Sequence, residues 1–120
     1  MDDLTRDIIG AAIEVHNQLG PGLLETIYEQ AMCHEFALQD IQYQQQVEID
    51  VIYKGKKLQG QRLDLLVKNE VIVEIKSLRQ LPEVALAQAL SYLKATGLKR
   101  ALLINFGEKH LKNGIRRISL

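Results

Sequence analysis

The stretch RLDLLVKNEVIVEIKSL, residues 62–78, decides how the chain folds and also raises its chemical question. Two runs rich in Leu, Val and Ile flank Lys68-Asn69-Glu70, a polar triplet suited to a hairpin turn. The second run alternates Val71, Val73 and Ile75 on one face with Ile72, Glu74 and Lys76 on the other. A three-residue loop with Asn69 in the left-handed conformation pairs Val67 with Val71. It sets Asp64 opposite Glu74, with Cβ atoms roughly 5 Å apart. Two carboxylates that close repel, and one is pushed toward its neutral form. A divalent cation removes the difficulty, because magnesium and manganese prefer hard oxygen ligands. Lys76, about 7 Å further along the same face, reaches past such an ion to orient a water or stabilise charge developing on a phosphate. Acid-x-Lys alone is common by chance, and an ion-paired patch on a solvent-facing sheet explains it as well, so companion residues must decide.

Upstream, Val47, Ile49, Val51 and Tyr53 alternate with Glu48, Asp50 and Lys54, which marks a strand entering a hairpin at Lys54-Gly55-Lys56. The return strand runs to about Val67, with a bulge expected at Gly60. In residues 3–19, Leu4, Ile8, Ala12, Val15 and Leu19 form one apolar helical face, and Gly20-Pro21-Gly22 stops that helix. A second helix is expected from about Leu23 to Leu38, with Leu24, Ile27, Ala31 and Leu38 on its inner side. Glu25 lies in its first turn, where the helix dipole tolerates an acid. Downstream, Pro82 suits a first helical position and Gly97 ends the helix begun there. RALLINF, residues 100–106, reads as a buried strand reached by a right-handed parallel crossover, and the C-terminal IRRISL is a candidate edge strand. The order is α, α, β, β, β, α, β, in a single domain over residues 1–120.

In the last helix Gln88 and Tyr92 share a face at i and i+4, next to the strand that carries Glu74 and Lys76. They could hold a water or a phosphate; the plainer alternative is a ring packed on the sheet and a Gln capping backbone. Glu25 and Tyr28 share a face at i and i+3, with a solvated acid and a half-buried ring as the alternative. A lone His16 is more often structural than a ligand, and His34 and His110 show no ligand spacing. The single cysteine, Cys33, excludes an internal disulfide and a Cys-based zinc site and reads as a small core residue.

The 120 residues are 47% hydrophobic and 25% charged, enough for one core, and no apolar run approaches bilayer length. With an acidic N-terminus, MDDLTRD, where a signal peptide would be basic, a cytoplasmic location is expected. Net charge is zero, yet residues 1–50 hold 10 acids and 1 base while residues 51–120 hold 5 acids and 14 bases. The basic half, including Lys94, Lys99, Arg100, Lys109, Lys112, Arg116 and Arg117, either forms a surface for a polyanion or neutralises the acidic half within the fold or a dimer.

GLLETIY, Gly22 to Tyr28, resembles the signature of the GxxExxY family, a small-domain branch of the PD-(D/E)xK nuclease superfamily. The resemblance extends through Val15-His16, the LGPG turn, RLDLLV, VEIK, QALSYLKATG and LINFG, and so covers nearly the whole chain. It implies an α/β, restriction-endonuclease-like αβββαβ core with a mixed four-stranded sheet flanked by helices. By position, Asp64 becomes the first acid and Glu74-Ile75-Lys76 the (D/E)xK element. The Ile75 carbonyl becomes an extra metal ligand and Glu25 the helix-borne acid of the site. Gln88 and Tyr92 resemble the QxxxY motif of RecB-like branches, and His16 resembles an upstream metal-binding histidine. One departure is Leu63 where the superfamily name has proline.

The resemblance implies a magnesium-dependent nuclease, with manganese as a substitute, acting on nucleic acid and on DNA before RNA. Specificity would come from a homodimer, a partner protein or nucleic-acid shape, since fold alone does not set the substrate. The alternative is a nuclease-fold module with little or no turnover that binds protein or nucleic acid. A small-molecule enzyme finds no phosphate-cradling glycine loop, nucleophile elbow or zinc spacing.

Overall fold

A computed structural model describes residues 2–120. Two helices open the chain, α1 (Asp3–Leu19) and α2 (Glu25–Leu38), followed by β1 (Tyr43–Tyr53), β2 (Lys56–Val67) and β3 (Val71–Lys76). Helix α3 (Glu83–Thr96), β4 (Arg100–Asn105), a 3-10 turn (Leu111–Gly114) and β5 (Ile115–Ser119) complete it. The sheet order is β1-β2-β3-β4-β5, with β3 and β4 parallel and the other pairs antiparallel. The sheet is mixed, flanked by helices and restriction-endonuclease-like. It has five strands where the resemblance implied four, because the candidate edge strand at IRRIS pairs along β4.

Each sheet face carries its own apolar layer. Val71, Val73, Ile75, Leu102 and Ile104 pack with Ile8, Ala12, Val15, Tyr28 and Phe36 of α1 and α2. Ile72, Leu66, Leu63 and Ala101 pack with Ala89, Tyr92 and Leu93 of α3. Helix α1 begins where Asp2 accepts hydrogen bonds from the Thr5 N–H and hydroxyl, both at 2.9 Å, and ends at Gly20 with φ 70°.

Helix α2 turns a different face inward from the one its leucines suggested. Leu24 is 73% exposed and Leu38 66%, Ile27 is also exposed, and Ala31 is only partly buried. Tyr28, Met32, Cys33 and Phe36 fill the interior instead. Two aromatic rings and a methionine at steps of four bury more apolar area than the leucine set, so their stripe wins the core. Leu19 of α1 is likewise exposed and Leu4 only partly buried, so that apolar face is narrower than its spacing suggested.

The Lys68–Glu70 loop is formed as expected, with Val67 opposite Val71 and Asn69 at φ 57°; Lys68 is left-handed too. The bulge also lies at Gly60, whose φ is 109°, where Ile49 pairs with Gln61 but Val51 with Leu58.

One irregularity had no sequence cue. Leu63 and Leu66 pack on the α3 side while Leu65 packs on the α1/α2 side, so strict alternation breaks between them. The break falls at Asp64 and at Gln46 of the facing strand, where Gln46 has φ 53°. The Gln46 side-chain amide donates to both carboxylate oxygens of Glu29 on α2 at 3.0 Å, and Gln45 donates to the same group at 2.7 Å. The face switch thereby places Asp64 at the boundary between two kinds of strand.

Candidate active site

The β2/β3 ladder runs through Leu65 and Val73 and then changes character. At the next pair, Asp64 and Glu74, side chains replace backbone carbonyls as acceptors. Asp64 Oδ2 accepts from the Ile75 N–H at 2.8 Å, and Glu74 Oε1 accepts from the Asp64 N–H at 3.3 Å. The structure thus brings the two acids together at the point where the sheet opens. The carbonyl of Ile75 leaves the strand on the same side as its N–H, toward Asp64.

Glu74 is 4% exposed. Burial, with the Asp64 charge beside it, pushes its carboxyl up to about 9. The same two acids and burial raise the Tyr92 phenol, burial most. Among the described residues no salt bridge engages Asp64, Glu74 or Lys76. A buried carboxylate beside another acid, with only a partly buried lysine to offset it, is a poor arrangement for a structural patch and a suitable one for a hard divalent cation.

On α3, Tyr92 is buried and its hydroxyl accepts a 2.5 Å hydrogen bond from Gln61 of β2. Gln88, one turn earlier, is half-buried. Gln61 is the residue that sequence reading passed over; its pairing with Ile49, on the α3 side after the face switch, is what aims it at Tyr92.

Beyond Lys76 the chain is locked in place. Asn105, fully buried, accepts from the Leu78 N–H and donates to the Leu78 carbonyl, both at 2.9 Å. Gly107 passes so close that an added Cβ would lie 2.1 Å from the Leu78 carbonyl oxygen. Ser77 donates to the Leu23 carbonyl at 2.5 Å. Tyr28, buried and stacked on Phe106 at 4.5 Å, donates to the Gly20 carbonyl and accepts from the Leu23 N–H. Its ring is fully buried, not half-buried, and it fixes the glycine turn that delivers Glu25. Glu25 is exposed at the start of α2, on a cleft of about 570 Å³ shared with Ser77 and Arg79.

His16 is buried, and its Nε2 donates to the Glu108 carbonyl at 2.8 Å, leaving Nδ1 as the lone-pair nitrogen of the neutral ring. Among the described residues no three His, Cys, Asp or Glu side chains form a metal-holding group. The four-donor set of His16, Glu25, Asp64 and Glu74 is therefore not assembled; only the Asp64–Glu74 pair is.

A mixed sheet with an acid pair and a lysine where β3 leaves the ladder defines an α/β protein of nuclease type. The family model described as the PD-(D/E)XK nuclease superfamily matches residues 2–118, and the chain belongs to that superfamily. No curated protein and no solved structure matches it significantly. No helix among the described residues is long and apolar enough to cross a membrane.

Proposed function

We propose that the protein hydrolyses phosphodiester bonds in DNA with magnesium, or manganese in its place, and that it is of the GxxExxY branch, acting in the cytoplasm. The observation that carries the reading is the buried Glu74 carboxyl beside Asp64, both free of salt bridges among the described residues. Asp64, Glu74 and the Ile75 carbonyl would hold the ion, with Glu25 and His16 Nδ1 as further candidate donors that do not join the acid pair in a three-ligand group. The cation would supply charge neutralisation at the scissile phosphate and lower the pKa of a water. Lys76 orients the attacking water and stabilises the developing negative charge. Tyr92, fixed by Gln61, and Gln88 position the phosphate. The test is cleavage of single-stranded, duplex and branched DNA by purified protein with magnesium or manganese. Loss of cleavage in Glu74→Gln and in Lys76→Ala is expected; cleavage surviving both overturns the assignment.

A second reading, a binding module with little turnover, draws on one observation: each acid already has one oxygen on a backbone N–H. Calorimetric titration with manganese separates the two, since absence of heat at millimolar ion favours the module.

A further inference from the structure

Asp50, Val51 and Ile52 still border α3 across a shallow pocket with Ser91, Lys94 and Ala95, and beyond Ile52 the β1/β2 hairpin leaves the body of the protein. All thirteen residues from Asp50 to Arg62 are exposed, and the ribbon they form has no helix packed over its tip. A two-stranded ribbon without a core is marginal in water, so its apolar and charged groups call for a partner. Exposed Val51, Ile52, Tyr53 and Leu58 are joined by Lys54, Lys56, Lys57 and Arg62 against one acid, Asp50, a net charge of +3. Asp50 is already paired with Lys57 at 3.6 Å, and Lys54 lies 5.4 Å from the Tyr53 ring centroid. Helices α1 and α2 are by contrast acidic, carrying Asp3, Asp7, Glu14, Glu25, Glu29 and Glu35 against a single Arg6.

We propose that this ribbon is a docking arm for duplex DNA, entering the major groove while the Asp64–Glu74 site addresses a phosphodiester further along. Only the placing of a phosphodiester at Asp64 and Glu74 rests on the nuclease reading. A two-stranded ribbon fits the B-form major groove, about 12 Å wide, whereas the major groove of duplex RNA is too deep and narrow for it. Eight residues separate Asp64 from Lys56 and one is absorbed by the bulge, which places the tip about 23 Å from the acids, or about seven base pairs. Two arms of net charge +3 repel each other, which disfavours a second copy as the occupant.

The test measures binding to a 20-base-pair DNA duplex in EDTA, so that no cleavage intervenes, across a salt series. The variant Lys54→Gln/Lys56→Gln/Lys57→Gln should bind about 10- to 100-fold more weakly, with a salt slope lower by about 2 to 3. Because the residues are exposed, folding is checked simply by circular dichroism, and the triple Lys→Arg variant should keep native affinity. Metal-dependent hydrolysis of bis(4-nitrophenyl) phosphate, which cannot span the two regions, should be unchanged. Equal DNA affinity of the Gln variant and the native protein overturns the proposal, as does equal native affinity for duplex RNA. A Gln variant that changes self-association but not DNA affinity overturns it in favour of a second copy. Failure of the small phosphodiester to react, with arm-dependent binding intact, counts against the nuclease reading and leaves the arm standing.

Discussion

Strand β2 passes through two environments. From Leu65 to Val67 it is paired to both β1 and β3, and Leu63, Leu65 and Val67 are wholly inaccessible. From Lys56 to Arg62 it is paired only to β1 and every residue is exposed. Asp64 sits at the changeover. The difference teaches that one strand can be specified by packing at one end and by charge at the other. The two acids meet at the junction because that is where a backbone ladder gives way and side chains become the acceptors. Substitutions in the two regions should therefore fail in different ways and by different amounts.

The largest effect is expected where the central block closes. Gly107→Ala forces a Cβ into the Leu78 backbone, which Asn105 holds from both sides and which has no freedom to yield. A loss of at least about 3 kcal/mol is expected, read as a fall in denaturation midpoint with unchanged slope. A midpoint within error of the native value would show that the segment after β3 is not clamped.

Glu74→Gln sharpens the comparison because it acts on stability and on chemistry with opposite signs. The folded carboxyl at about 9 lies above its ordinary 4.5, so between those values the folded chain keeps a proton that the unfolded chain has released. Stability from this group is complete below about pH 4.5 and is lost as pH rises toward 9. A neutral Gln removes that slope, so the variant should be more stable than the native protein at pH 8, by about 2 kcal/mol, while losing cleavage. Manganese should raise the native melting temperature at pH 8 and leave the variant's unchanged. Identical pH profiles of the two proteins would break the link between the buried acid and the ion.

A smaller effect is expected at Tyr28→Phe, which keeps the ring on Phe106 but deletes the hydroxyl that ties Gly20 to Leu23. About 1 to 2 kcal/mol should be lost. If Glu25 belongs to the site, activity should fall through KM more than kcat, because the group's placement is loosened rather than removed.

The strand run and its loop were legible because a period of two and a polar triplet leave few alternatives; Glu74 and Lys76 were placed on one face by that period alone. The inner face of α2 was not legible from Leu24, Ile27 and Leu38, since leucine spacing competes with the Tyr28-Met32-Phe36 stripe, whose larger apolar area takes the core. The face switch at Asp64 was hidden as well. It depends on a left-handed Gln46 held by Glu29, a contact 17 residues apart in the chain with no local signature. Gln61 was missed for the same reason, because its aim at Tyr92 follows from that switch.

The smallest effect on stability is expected in the arm, and it completes the contrast. Ile52 is 60% exposed, so removing its apolar bulk uncovers little that was covered. Ile52→Thr keeps the β-branch and the strand preference while adding a hydroxyl that water satisfies. A change within about 0.5 kcal/mol follows, against the several expected at Gly107. Should Ile52→Thr instead destabilise by 2 kcal/mol or more in a concentration-dependent way, the ribbon is packed in solution against another copy. The arm would then belong with the buried half of β2 rather than apart from it.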